Sequence, residues 1–247
     1  MIRLTGQQPD MAFWLMTPNE DACEIASLLG YGTAIIDMEH GTFNQDSAAR
    51  TVTICRALRL RAFTRVESAE RVPIQHALDF GSDGVILPQI KDLEHAKHTT
   101  SFAKYPPLGG RGFGGGKTVS YLPAPPHFVE AENRRVSCWA MIETATALAQ
   151  VEKIAALETV DGLFIGPNDL SLARGRGEYK ADGRDHDDIA RIAKAAAARK
   201  KPWAMPIASR DDRDFACGLD IAFMAITDDR TSLRDGLEAN LRNLEGR

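Results

Sequence analysis

The feature that most constrains this chain is an eightfold alternation of short apolar runs with longer segments of helix-like spacing. The runs are MAFWLM, TAIID, RAFTRV, DGVILPQI, VSCWAMIE, DGLFIGP, PWAMPIA and DIAFMAIT, and each precedes a polar segment with a periodic apolar face. Ala48, Val52 and Cys55 share one such face, and Ile189, Ile192, Ala193 and Ala196 share another. Within the runs the apolar residues are nearly continuous, as strands covered on both sides require. Gly32, Gly81 and Gly218 stand between helical segments and strands, where a left-handed helix cap is expected. The pattern predicts an α/β fold, a single parallel (β/α)8 barrel (TIM barrel) over residues 1–247, with a doubly wound open sheet as the alternative.

Bulk properties narrow the partners. With 247 residues, 44% of them hydrophobic, the chain can bury a large core. A formal net charge of -4 without a dense Lys/Arg block gives no footprint for nucleic acid or anionic lipid, and favours a small neutral or anionic ligand. No apolar run approaches the roughly 20 residues of a membrane span, and the N-terminus lacks a secretory core, so a cytoplasmic protein is expected. Cys23, Cys55, Cys138 and Cys217 form no CxxC pair and read as buried thiols.

In a barrel of this kind, chemistry gathers at the C-terminal ends of the strands. The second run ends in Asp37, Glu39 and His40, the third at Arg65, the fifth at Glu143 and the sixth at Asn168-Asp169. Glu143 and Asp169 end adjacent strands. Each alone could cap a helix, but as a pair they suit a divalent cation whose remaining positions are filled by water and substrate. Arg65 either pairs with a barrel carboxylate or holds a substrate anion, and the second is favoured. His40 is the best general-base candidate of six histidines. His76, His95 and His98 fall in helical segments, His127 in a Pro-rich insertion and His186 in a charged loop. The stretch GGRGFGGGK, from Gly109 to Lys117, lacks P-loop spacing and follows a helix, so it reads as a mobile or interface loop.

The segments IDMEH, TRVES, YPPLGGRGFG, MIET and FIGPNDLS, in this order, resemble the HpcH/HpaI family of metal-dependent (class II) pyruvate aldolases, grouped with the citrate lyase β-subunit. The resemblance implies cleavage of a 4-hydroxy-2-oxo acid to pyruvate and an aldehyde through a metal-stabilised pyruvate enolate, with Mg²⁺, Mn²⁺ or Co²⁺ as cofactor. It implies His40 as base, Arg65 as transition-state stabiliser, Glu143 and Asp169 as metal ligands, and the backbone N–H groups of Asn168 and Asp169 as the carboxylate site. Asp37 would contact substrate, and Asp79 would raise the basicity of the histidine, although Asp79 reads as lying near the other end of the barrel. Met141 departs from the pattern, since similar proteins commonly carry a substrate-contacting glutamine there. The resemblance further implies a homo-oligomer, a hexamer built from pairs that exchange a C-terminal helix at about 231–244.

Two other mechanisms remain open at this point. An acyl-coenzyme A lyase of citrate lyase β type would share IETATAL, and a Schiff-base aldolase would need a lysine such as Lys91. A non-catalytic, oxo-acid-binding barrel finds its one support in Met141.

Overall fold

The computed structural model describes residues 9–245. Eight parallel strands close into a barrel in chain order: β1 (Asp10–Leu15), β2 (Thr33–Asp37), β3 (Arg61–Arg65), β4 (Gly84–Leu87), β5 (Ser137–Ile142), β6 (Gly162–Ile165), β7 (Trp203–Pro206) and β8 (Phe223–Asp228). Strand β1 pairs with both β2 and β8, which excludes an open sheet. The helices are α1 (Glu20–Leu28), α2 (Gln45–Ala57), α3 (Arg71–Asp79), α4 (Leu93–Thr100), α5 (Phe128–Arg135), α6 (Ala145–Ala149), α7 (Val151–Ile154), α8 (Pro167–Ala173), α9 (Gly183–Ala197), α10 (Arg210–Cys217) and α11 (Asp229–Glu245). No helix among the described residues is long and apolar enough to cross a membrane.

Alternation along each strand sorts the core into two zones. On β5, Trp139 and Met141 point into the barrel with Trp14, Phe63, Phe164 and Phe223. Their neighbours Cys138, Ala140 and Ile142 face outward onto the helices. Trp139 fills its space so fully that a Cβ on Gly162 would lie 2.6 Å from its ring. The inward parity continues past the strand ends, so Arg65 on β3 and Glu143 beyond β5 follow the same rows as Phe63 and Trp139.

Several local expectations change. The fifth helical segment breaks at Gln150 into α6 and α7, and Gln150 Oε1 there accepts from Leu93 N–H. Of the expected left-handed caps only Gly81 adopts one, at φ 96°. Gly30 and Asp220 take that role beside Gly32 and Gly218. Cys23, Cys55 and Cys138 are buried, but Cys217 is exposed, and the sulfurs of Cys23 and Cys55 approach to 3.8 Å. His186 lies within α9, stacked on Phe215, and not in a loop. The glycine-rich stretch is held down: Arg111 pairs with Asp79 at 3.1 Å and with Glu132, while Lys117 Nζ binds Thr53 Oγ1 at 2.5 Å on α2. With its lysine and arginine so committed, this stretch is no phosphate cradle.

Candidate active site

Cavities of similar volume open at both ends of the barrel. The one at the C-terminal strand ends, about 610 Å³, is lined by Trp14, Asp37, His40, Arg65, Met141, Asn168 and Asp169, and by the ends of β7 and β8. That end holds the titratable groups expected from the sequence, with the exception of Asp79.

Asp37 is the centre of this arrangement. It is fully buried, and its carboxylate accepts from Trp14 Nε1 at 2.9 Å, from the N–H groups of Glu39 at 3.0 Å and His40 at 3.1 Å, and from Arg65 Nε at 3.0 Å. A second contact joins Arg65 Nη2 to the other oxygen of Asp37. Burial alone would raise the Asp37 carboxyl, but the hydrogen-bonded guanidinium of Arg65 outweighs it and holds the group below its ordinary range. With both oxygens engaged, Asp37 orders its neighbours while it also lines the cavity. Its two N–H bonds fix the turn that presents His40 to solvent. Gly41 is obligatory in that turn, because a Cβ would lie 2.1 Å from the Asp37 carbonyl.

Arg65 is itself nearly buried and clamped. Its Nη1 lies 3.1 Å from Glu39 Oε2, and its guanidinium carbon sits 4.9 Å above the Trp14 ring. The pairing with barrel carboxylates, the less favoured alternative in sequence, is therefore present, while Arg65 still lines the cavity. Burial raises the Glu39 carboxyl, more than the attraction of Arg65 lowers it. Glu39 Oε2 also approaches His40 Nε2 at 3.8 Å.

Glu143 caps nothing. The cap of α6 is Thr144, which accepts from Ala147 N–H, while Glu143 Oε1 accepts from Gln89 N–H at 2.5 Å. Gln89 has a left-handed backbone at φ 53°, and this conformation aims its N–H across from β4. Burial pushes the Glu143 carboxyl up to about 7, assisted by the negative charges of Glu39 and Asp169. Directly after the paired strand β6, Gly166 is the residue that fits: a Cβ there would lie 2.5 Å from Glu143 Oε2 and 2.8 Å from the Met141 methyl. Asn168 and Asp169 open α8, whose cap residue Gly166 supplies no side-chain bond. Asp169 belongs to the first turn, where acidic side chains are favoured.

Among the described residues no group of three His, Cys, Asp or Glu gathers at metal-ligand spacing. Buried Glu143 and exposed Asp169 would nevertheless suit a hard divalent cation, provided substrate and water supply the remaining oxygens. Asp79 does not join the site: it ends α3 and is held by Arg111. Sequence reasoning missed Trp14, Gln89 and Gly166. Trp14 has the inward parity of a barrel residue near the end of β1, and Gly166 directly follows β6, but Gln89 carries no comparable signal.

The model of the HpcH/HpaI aldolase/citrate lyase family matches residues 10–214. A 2-dehydro-3,6-dideoxy-6-sulfogluconate aldolase from Pseudomonas putida is 34% identical over 83% of this chain and 78% of its own. A 4-hydroxy-2-oxovalerate aldolase from Novosphingobium aromaticivorans is 33% identical over 82% of this chain and 77% of its own. Among solved structures, an aldolase/citrate lyase family protein from Burkholderia cenocepacia superposes with TM-score 0.89 at 23% identity, covering 98% of this chain and 96% of that one. The closed barrel, the carboxylate and arginine cluster at its mouth, and these matches agree: the chain belongs to the HpcH/HpaI aldolase/citrate lyase family and is a carbon–carbon lyase of the aldolase type.

Proposed function

We propose that this enzyme cleaves 4-hydroxy-2-oxo acids to pyruvate and an aldehyde at the mouth of the barrel, reversibly, with a divalent metal. The observation that carries the reading is Glu143, a buried carboxylate of raised pKa beside Asp169, to which no cationic side chain is bonded among the described residues. The names of the relatives support the reaction class, a hydroxypyruvate/pyruvate aldolase from Delftia acidovorans among them, at 27% identity over 96% of this chain.

Glu143 and Asp169 would hold the ion, with Mg²⁺, Mn²⁺ and Co²⁺ as candidates. When bound, it supplies Lewis-acid polarisation of the 2-oxo group. The N–H groups of Asn168 and Asp169, in the first turn of α8, lack intrahelical acceptors and are suited to the substrate carboxylate. Arg65, held in place by Asp37 and Trp14, would face the oxygen on which negative charge develops as the C3–C4 bond breaks. His40, on its exposed turn, would take the proton from the C4 hydroxyl. Met141 makes one wall apolar, so binding relies on the charged groups. Lys91, the lysine a Schiff-base mechanism would need, lies beyond β4 and does not line this cavity.

The function also fits an oligomer. Helix α11 exposes Leu233, Leu237 and Leu241, each four residues from the next and 58–65% accessible, a face suited to exchange with another copy. The test of function is pyruvate release, measured by coupled reduction to lactate, from a panel of 4-hydroxy-2-oxo acids differing in the aldehyde portion. Turnover of at least one of them supports the reading, and release from none of them refutes it.

A further inference from the structure

At the opposite end of the barrel, under the N-terminal ends of β3 to β7, a second cavity of about 580 Å³ is lined by five arginines and two aspartates. Both aspartates already have partners. Asp83 binds Arg135 at 3.1 Å and Ala62 N–H, and Asp161 binds Lys104 at 2.7 Å and Cys138 N–H. Arg61 pairs with Asp10, and Arg135 also pairs with Glu132. The other three guanidinium groups have no carboxylate partner among the described residues. Among the described residues Arg56 donates only to the Gly81 carbonyl, and the exposed side chains of Arg59 and Arg134 make no hydrogen bond or ion pair.

Arg56 lies in the last turn of α2 with Arg59 just beyond its end, and Arg134 lies in the last turn of α5, so helix C-terminal dipoles attract them. Two such dipoles amount to about one negative charge, which leaves most of the three positive charges unbalanced. Arg59 moreover occupies a left-handed position, φ 61°, where glycine is the relaxed choice. In a chain of net charge -4, surplus cations around one concave surface form a site for anions. The geometry points to this cavity as a binding site for a small multivalent oxyanion, a phosphate-bearing or polycarboxylate metabolite. Its volume suits such a molecule. It is separate from the mouth: Arg61 and Arg65 mark the two ends of β3, about 13 Å apart.

The test is calorimetric titration of the metal-loaded protein with inorganic phosphate and, separately, propane-1,2,3-tricarboxylate, with acetate at equal ionic strength as the monovalent control. The double variant Arg59→Gln/Arg134→Gln is expected to bind the effective anion at least tenfold more weakly, with its melting temperature preserved. Phenylglyoxal labelling locates the site: the anion should protect Arg59 and Arg134 and leave the exposed Arg71, outside the cavity, reactive. Protection by phosphate alone assigns phosphate-bearing ligands, and protection by the tricarboxylate alone assigns polycarboxylates. Unchanged affinity in the double variant, or equal protection of Arg71, overturns the proposal.

Discussion

Arg65 and Asp37, 28 positions apart in the chain, meet at the paired ends of β3 and β2, with Arg65 Nε 3.0 Å from Asp37 Oδ1. Breaking a buried ion pair from one side strands the other charge. Asp37→Asn should therefore destabilise the fold by about 3 kcal/mol, and it should also lower kcat about 10- to 100-fold through a misplaced Arg65. Chemical denaturation and steady-state kinetics together check this. A variant as stable and as active as the parent would remove Asp37 from its organising role.

Arg65→Ala tests the charge that Asp37 positions. If the guanidinium acts on charge developing in the transition state, kcat falls by about 10²- to 10³-fold while KM moves little. A rise in KM at constant kcat would instead make Arg65 a substrate-binding group only.

Glu143 predicts a pH dependence that can be read without turnover. Its carboxyl is raised from an ordinary 4.5 to about 7, so the folded metal-free protein keeps a proton that the unfolded chain has already lost. That contribution to stability is present in full below about pH 4.5 and is lost as pH rises through about 7, up to about 3 kcal/mol. Metal binding needs the ionised form, so affinity for Mn²⁺ should fall about tenfold per pH unit below that value. Melting curves and Mn²⁺ titration by electron paramagnetic resonance supply both measurements. Affinity that is flat between pH 5 and 7 would contradict the ligand role.

Gly166→Ala probes the packing behind Glu143. The added methyl would meet Glu143 Oε2 and the Met141 side chain, so Mn²⁺ affinity should weaken about 10- to 100-fold, with little change in secondary structure. Unaltered affinity would show that the carboxylate can move aside freely.

The barrel itself was legible because a strand covered on both faces must be apolar throughout, and each of the eight runs is a strand. The mouth was legible because polar residues that interrupt such runs at their exits converge in a parallel barrel, as Asp37, His40, Arg65, Asn168 and Asp169 do. What sequence did not disclose depends on partners distant in the chain. The Trp14 side chain reads as core, and only the fold brings its Nε1 to Asp37. Gln89 matters through a backbone N–H, which no side-chain pattern reports. Arg65 could as well have been left for a substrate anion, but β2 and the turn after it carry Asp37 and Glu39 to it. Asp79 matches the family motif, yet within one chain it belongs to Arg111.

The most direct test of the account is to strip the protein with EDTA, remove the chelator, and follow pyruvate release from an active 4-hydroxy-2-oxo acid before and after adding Mg²⁺, Mn²⁺ or Co²⁺. The account predicts that release vanishes on stripping and returns with metal in the parent protein, but does not return in Glu143→Ala at the same metal concentration. Release that persists undiminished in the stripped enzyme would contradict a metal site at Glu143 and Asp169.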